Sequence, residues 1–114
     1  MSEREKVLAK SGGKCWYCGC ELKKGWHVDH LKPLFRTHER SKSYVGSDDF
    51  DNKVPSCAPC NLFKATFSVE DFRAEIQEQV SRSRKYNVNF RTAERFGLIQ
   101  ETLKPVIFWF EANK

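Results

Sequence analysis

Two cysteine pairs are the residues whose spacing most clearly points to chemistry. Cys15-Trp-Tyr-Cys18 and Cys57-Ala-Pro-Cys60 are both C-x2-C knuckles, and the chain has no obvious export signal that would favour disulfides. Two thiolates three positions apart can bind one ion from a tight turn, and a second such turn completes a tetrahedron. The sequence therefore predicts a structural zinc ion held by these four cysteines. A redox-active pair would explain one knuckle but not both.

A glycine and a fifth cysteine follow the first knuckle directly. Gly19 favours a sharp turn there because it has no Cβ to clash. Cys20 is interpreted as a spare thiol, which can compete with Cys18 for the ion. A structural zinc ion can contribute on the order of 10–16 kcal/mol to the folding of a small domain, so its expected role is stability.

A second set of polar residues could hydrolyse a phosphodiester. That reaction needs a nucleophilic water, a cation beside the phosphate oxygens and an aligned phosphate. His30 is a candidate general base, because a neutral imidazole accepts a proton near pH 7. Asp29 and Asn61 offer oxygen ligands that suit Mg²⁺ or Mn²⁺ better than zinc. Taken singly, these residues could instead be a core histidine, a turn acid and a helix-start residue.

Three segments carry a resemblance to a known family. They are C-W-Y-C-G, then H-V-D-H-L-K-P-L, then D-N-K-V-P-S-C-A-P-C-N-L-F-K, in that order. This pattern resembles the HNH endonucleases, whose fold is the ββα-metal motif, over roughly residues 4–67. Two departures stand out: the segment between His30 and Asn52 is longer than in compact members, and Asn61 stands where other members carry His.

The resemblance implies a role for each residue that matches the motif. His30 would activate water, Asp29 and Asn61 would hold a catalytic Mg²⁺ or Mn²⁺, and Asn52 would tie down the loop between the two strands. It also implies DNA as the substrate and products with 5′-phosphate and 3′-hydroxyl ends. The catalytic set expected is thus His30, Asn52, Asn61 and Asp29.

Further basic residues and the other histidines have weaker signals. Lys64 lies one helical turn beyond Asn61, where its amine could reach the phosphate. His27 shares the strand face of Asp29 and is expected to have a structural or supporting role, and His38 is expected to be exposed in a loop. Three more basic residues are candidate phosphate contacts, although a solvated helix end is the ordinary alternative: Arg82, Arg84 and Lys85.

The elements that must position these residues form an α+β fold. We predict a single domain spanning 1–114. It consists of a ββα-metal core, stabilised by zinc, and a helical, aromatic-rich extension over 68–114. Ser68 fits an N-cap, and Val69, Phe72, Ile76 and Val80 recur at helical spacing after it. The other predicted elements are a helix at 2–10, strands at 25–31 and 53–55, a loop at 35–51, a helix from the second knuckle to about 67, a strand at 88–90, a helix at 92–96 and a strand at 106–111.

Composition narrows the range of partners. Lys and Arg number 20 against 15 Asp and Glu, a formal charge of +5 that falls to about +3 once four thiolates bind zinc. This balance favours nucleic acid. The longest apolar run, residues 106–110, is far too short for a bilayer, so no membrane is expected and the cytoplasm is the expected compartment. No heptad pattern argues for a dimer, so a monomer is expected, with a dimer left open.

The function predicted from these features is a metal-dependent DNA endonuclease that nicks one strand per encounter with weak sequence preference. One alternative is a zinc-ribbon module that binds nucleic acid or protein without cutting. Such a module needs the cysteines but has no use for Asp29, His30 and Asn61 together. A nuclease that also acts on RNA is the other alternative.

Overall fold

The computed structural model describes residues 1–34 and 46–114, and it confirms the α+β class. In the described part of the chain, no helix is long and apolar enough to cross a membrane. His38 and most of the predicted 35–51 loop lie outside the described residues. The elements are α1 (Glu3–Ala9), β1 (His27–His30), a 3-10 turn (Phe50–Asn52), β2 (Lys53–Ser56), α2 (Ala58–Lys64), α3 (Val69–Gln77), α4 (Gln79–Tyr86), α5 (Val88–Arg95) and α6 (Trp109–Ala112).

The two strands and α2 form the ββα unit that the sequence predicts. β1 and β2 pair antiparallel, with His27 opposite Ser56 and His30 opposite Lys53. The chain then enters α2 through Cys57, whose sulfur accepts a hydrogen bond from the Cys60 amide. The second knuckle is therefore also the N-cap of the helix, so thiol ligands and helix start are fixed by the same residues.

The chain divides into two compact units, residues 1–72 together with 107–114, and residues 73–106. The core of the first unit is aromatic. Tyr17 lies edge-on to Phe72 and Phe108, with ring centroids 5.4 and 5.7 Å away, and those two phenylalanines stack at 5.2 Å. The prediction of one domain over 1–114 stays a prediction.

The C-terminal segment of the first unit is not the predicted strand. Trp109 and Phe110 donate backbone hydrogen bonds to the knuckle residues Tyr17 and Trp16, but the chain then turns into α6. The Glu111 side chain caps that turn by accepting from the Phe108 amide at 2.9 Å. The predicted strand at 106–111 is therefore wrong, because a local cap favours a helical turn over extended pairing.

Gly19 allows this packing against the knuckle. Its φ is +78°, and a Cβ at this position would lie 2.7 Å from the Trp109 ring. A side chain there would therefore strain the turn and displace the tryptophan.

The second unit corrects two further predictions. The Asn87 side chain accepts from the amides of Asn89 and Phe90, so residues 88–90 are the first turn of α5 and not a strand. The helix predicted at 92–96 is the second half of the same helix. The Ser68 cap is present, since its hydroxyl accepts from the Asp71 amide, but the helix that follows ends at Gln77 and α4 begins at Gln79.

Candidate functional site

The cysteines converge on a single cluster in the first unit. The sulfurs of Cys15, Cys18, Cys20 and Cys57 all lie within 4.8 Å of one another. The Cys18 and Cys57 sulfurs are 3.8 Å apart, and a zinc tetrahedron with bonds of about 2.3 Å has edges of about 3.8 Å. Cys60, the remaining predicted ligand, is not among these four sulfurs, although it forms a hydrogen bond with Cys15. The thiols therefore fit a zinc ion, and Cys20, interpreted from sequence as a spare, lies inside the cluster.

Hydrogen bonds within the cluster separate the acidities of its thiols. The pKa of Cys15 is lowered to about 3, chiefly by its hydrogen bond with Cys60 and against the effect of burial. Burial raises the pKa of Cys20 to about 12, and its hydrogen bond with Cys18 adds to the rise. Thiolates are the form that binds metal, so a zinc ion would bind these cysteines in their deprotonated form.

Asp29 lies on β1 and is almost fully buried, with 6% of its surface exposed. Its Oδ2 accepts a hydrogen bond from the Tyr17 hydroxyl at 2.5 Å and lies 3.1 Å from the amine of Lys64. Burial, and then the charge of Asp29, raises the pKa of Tyr17 well above its ordinary value, so the hydroxyl keeps its proton and donates.

Lys64 is placed differently from the phosphate contact suggested by its sequence position. Its side chain is fully buried, and the amine also donates to the main-chain oxygen of His30 at 3.0 Å. An amine enclosed by Asp29 and a carbonyl is not available to a phosphate at the surface. Position 64 is one turn beyond Asn61 on α2, and this spacing directs both side chains toward β1.

Asn61 meets β1 through His27. The Asn61 side-chain nitrogen lies 2.8 Å from Nδ1 of His27, and His27 shares its strand face with Asp29. When that nitrogen donates to His27, the side-chain oxygen of Asn61 remains available to a cation. α2 thus brings Asn61 to the face of β1 that carries Asp29, and these two side chains could hold a hard divalent ion.

His30, at the end of β1, is held by a residue that the sequence did not single out. Its Nε2 lies 2.7 Å from Oδ1 of Asp48, which is also 3.6 Å from the amine of Lys53. These partners, His30 first, hold the pKa of Asp48 below its ordinary value. A carboxylate can only accept, so Nε2 carries the proton and a neutral ring keeps its lone pair on Nδ1. No pattern distinguishes Asp48 from Asp49 and Asp51 in the sequence.

Asn52 joins the two sides of the long connection between the strands. Its side-chain oxygen accepts from the Lys32 amide at 2.9 Å, and its nitrogen donates to the carbonyls of Lys32 and Ser47 at 2.9 and 2.7 Å. Gly46 lies against this junction, where a Cβ would overlap the Lys32 carbonyl and the Asn52 amide. These contacts fix the backbone that directly follows His30.

The basic residues predicted near a helix end belong to the second unit and are mostly paired. Arg82 lies 2.6 Å from Glu75. Arg84 makes two hydrogen bonds with Glu94, at 2.8 and 2.7 Å, and one with Glu101 at 2.7 Å. The amine of Lys85 lies 5.2 Å from the centre of the Tyr86 ring.

Comparisons with known proteins agree with this geometry. Residues 15–66 match the model of the HNH endonuclease family, which confirms the resemblance over that segment. The chain is also similar to the crystal structure of the Type II-C Cas9 enzyme from Actinomyces naeslundii, at a TM-score of 0.52 and 18% identity. That match covers 82% of this chain but only 10% of the Cas9 chain, and it shows the fold alone. No curated protein matches the sequence.

Proposed function

From the HNH endonuclease domain at residues 15–66, we propose that this protein is a divalent-metal-dependent DNA endonuclease. One observation carries the proposal: the ββα unit brings Asn61 on α2 to the strand face of Asp29, with His30 next in sequence at the end of the same strand. A module that only binds nucleic acid would have no need for Asp29, His30 and Asn61 together.

In the proposed mechanism, His30 takes the proton from the attacking water through Nδ1. Asp48 supports this role, because its acceptor oxygen at 2.7 Å keeps the Nε2 proton in place and fixes the ring orientation. Asn52 holds the backbone after His30 and so limits the movement of the base.

Asp29 and Asn61 would hold the catalytic Mg²⁺ or Mn²⁺. When bound, such an ion polarises the phosphate and offsets the charge that develops on the leaving oxygen. Two protein ligands leave coordination positions for water and for the phosphate itself. Zinc would occupy the separate thiol cluster, with Cys15, Cys18, Cys57 and Cys60 as its ligands and stability as its role.

The proposed substrate is DNA, bound mainly through phosphates and with weak sequence preference. The chain carries one set of candidate catalytic residues. One site cannot align with both antiparallel strands at once, so we expect a nick per encounter. Cutting both strands together would need a symmetric dimer.

The test uses supercoiled plasmid at low protein concentration, with and without Mn²⁺, for the wild type and His30→Ala. We expect open circles to accumulate before linear DNA, only with Mn²⁺. The His30 variant should cut at least ~100-fold more slowly, as expected for a lost general base, with zinc content and DNA affinity retained.

Three results would contradict this account. Binding without cutting under any divalent ion would favour the zinc-ribbon alternative. Loss of zinc in His30→Ala would contradict separate ion sites, and linear DNA formed directly by a dimer would contradict nicking. Replacing the plasmid with single-stranded RNA tests whether the activity extends to RNA.

A further inference from the structure

A fully buried lysine lies beside the candidate metal ligand, and the proposed mechanism does not use it. None of the Lys64 side chain is exposed, and its amine is 3.1 Å from Oδ2 of Asp29. A buried ammonium without a partner is strongly disfavoured, and so is a buried carboxylate. Each of these two charges is therefore tolerated because the other is present.

The same oxygen has a second donor from another part of the first unit. Tyr17 lies between the knuckle residues Cys15 and Cys18, and its hydroxyl donates to Oδ2 of Asp29 at 2.5 Å. The Tyr17 ring is fixed by aromatic neighbours, so the hydroxyl has little freedom to move. The Tyr17 hydroxyl from the first knuckle and the Lys64 amine from α2 thus converge on one carboxylate oxygen.

We propose that Lys64 is a built-in counter-ion, which neutralises Asp29 when no catalytic ion is bound and competes with that ion for its charge. Tyr17 fixes the same carboxylate to the knuckle. The Tyr17 hydroxyl and the Lys64 amine both contact Oδ2, so we expect Oδ1 to be the oxygen that faces an ion. The inference rests on the proposed function only in taking Asp29 as a ligand of the catalytic ion.

The counter-ion has two opposite consequences. Without a divalent ion, Lys64 keeps the buried carboxylate from being an uncompensated charge, so it stabilises the fold. With a divalent ion, the ammonium repels the incoming cation across a poorly solvated site, so it weakens ion binding. A lysine with a purely structural role would produce the first effect but not the second.

The test begins with Lys64→Met, which keeps a similar length and removes the charge. In zinc-loaded protein without Mg²⁺ or Mn²⁺, we expect the melting temperature to fall by about 10 °C or more. Adding Asp29→Asn should recover at least half of that loss, because no buried charge then remains. Lys6→Met, at an exposed position of α1, is the matched control and should leave the melting temperature nearly unchanged.

The second measurement is Mn²⁺ affinity by electron paramagnetic resonance, with zinc content checked in each sample. Lys64→Met should bind Mn²⁺ about tenfold more tightly than the wild type, a difference of about 1.4 kcal/mol. Mn²⁺ should also raise the melting temperature of this variant more than that of the wild type. Should Lys64→Met fail to fold, the comparison of Asp29→Asn with the double variant replaces it, and the double variant should melt higher.

An unchanged melting temperature in Lys64→Met would overturn the inference, and so would unchanged or weaker Mn²⁺ affinity in a folded Lys64→Met variant. A double variant that melts no higher than Asp29→Asn alone would also overturn it. Absence of Mn²⁺ binding in every protein, wild type included, would instead be a failure of the proposed function, because Asp29 would then not be an ion ligand.

Discussion

The two units use ion pairs of similar length in different ways. In the first unit, Asp29 and Lys64 lie 3.1 Å apart with side chains 8% and 0% exposed. In the second unit, Arg84 lies 2.7 Å from Glu94, with side chains 40% and 31% exposed. The chemical groups are similar, and burial is the main difference between them.

This difference determines what each pair can do. Water screens a partly exposed pair, so its net contribution is typically no more than about 1 kcal/mol. Removing one partner of a buried pair leaves an uncompensated charge and costs about 3–5 kcal/mol. The buried pair can therefore hold a carboxylate in one orientation. In an exposed pair, the main effect is that the two side chains neutralise one another's charge.

The largest expected effect tests how far the first unit depends on its thiol cluster. Cys57 is both an expected zinc ligand and the N-cap of α2. Cys57→Ser should lose zinc and lower the melting temperature by more than about 10 °C, because ligand binding is coupled to folding. Elemental analysis and thermal circular dichroism measure both quantities.

Cys20→Ser is the matched control for that change. We expect it to retain one zinc ion per chain, because Cys15, Cys18, Cys57 and Cys60 still supply four ligands. Full zinc occupancy in Cys57→Ser would contradict the ligand assignment. Zinc loss in Cys20→Ser, together with retention in Cys60→Ser, would show that Cys20 is the fourth ligand instead.

A smaller effect is expected for Asp48, an exposed acid of the first unit that is proposed to orient the His30 ring. Asp48 is 72% exposed, so its pair with His30 should matter little for stability. The proposed role of Asp48 is to hold the proton on Nε2 of His30. Asp48→Asn should therefore slow cleavage about tenfold, a loss of about 1.4 kcal/mol in transition-state stabilisation. The measurement is the single-turnover rate at which supercoiled plasmid is nicked with saturating Mn²⁺.

Asp49→Asn provides the control, since the Asp49 side chain makes no cap hydrogen bond at the start of the 3-10 turn. Cleavage should stay within about twofold of the wild type in this variant, because no contact to the base is changed. Equal losses in both variants would mean that loop charge in general, and not the Asp48–His30 contact, affects the reaction.

The sequence predicted the parts of the fold whose signals are local. Ser68 predicted one helix start and the second knuckle predicted another, and both helices are present. The strands at 88–90 and 106–111 were wrong because β-type residues there are overridden by caps from Asn87 and Glu111. Apolar residue type favoured strands, but a nearby cap decided the local structure.

The site was predictable to the extent that a motif carries it. The motif supplied His30, Asp29 and Asn61 as candidates and Asn52 as the residue that holds the loop, but not the side chains that contact His30 and Asp29. Asp48 and Tyr17 reach the site only through tertiary packing, and neither has a distinctive spacing to reveal it. Lys64 was noticed for its charge, and only its burial beside Asp29 shows that this charge is used internally.

The smallest expected effect concerns the paired arginines of the second unit. Arg84 is engaged by Glu94 and Glu101, and these hydrogen bonds raise its pKa above the ordinary value. Its charge is therefore largely compensated before any DNA approaches. Arg84→Gln should change the slope of log affinity against log salt by well under the ~0.9 expected for one lost phosphate contact. Its melting temperature should fall by no more than about 4 °C.

Lys85→Gln tests whether the paired glutamates, and not the position on the helix, explain the small effect expected for Arg84. Lys85 is the neighbour of Arg84 in sequence, but its amine lies over the Tyr86 ring. If phosphates contact this helix end, Lys85→Gln should reduce the salt slope by about 0.9 while Arg84→Gln hardly changes it. Fluorescence anisotropy with labelled duplex, from low to moderate salt, measures both slopes. If Arg84→Gln reduced the salt slope by the full ~0.9, DNA phosphate would be displacing Glu94 and Glu101 from Arg84. Exposed ion pairs of the second unit would then be exchanged for phosphate contacts rather than retained.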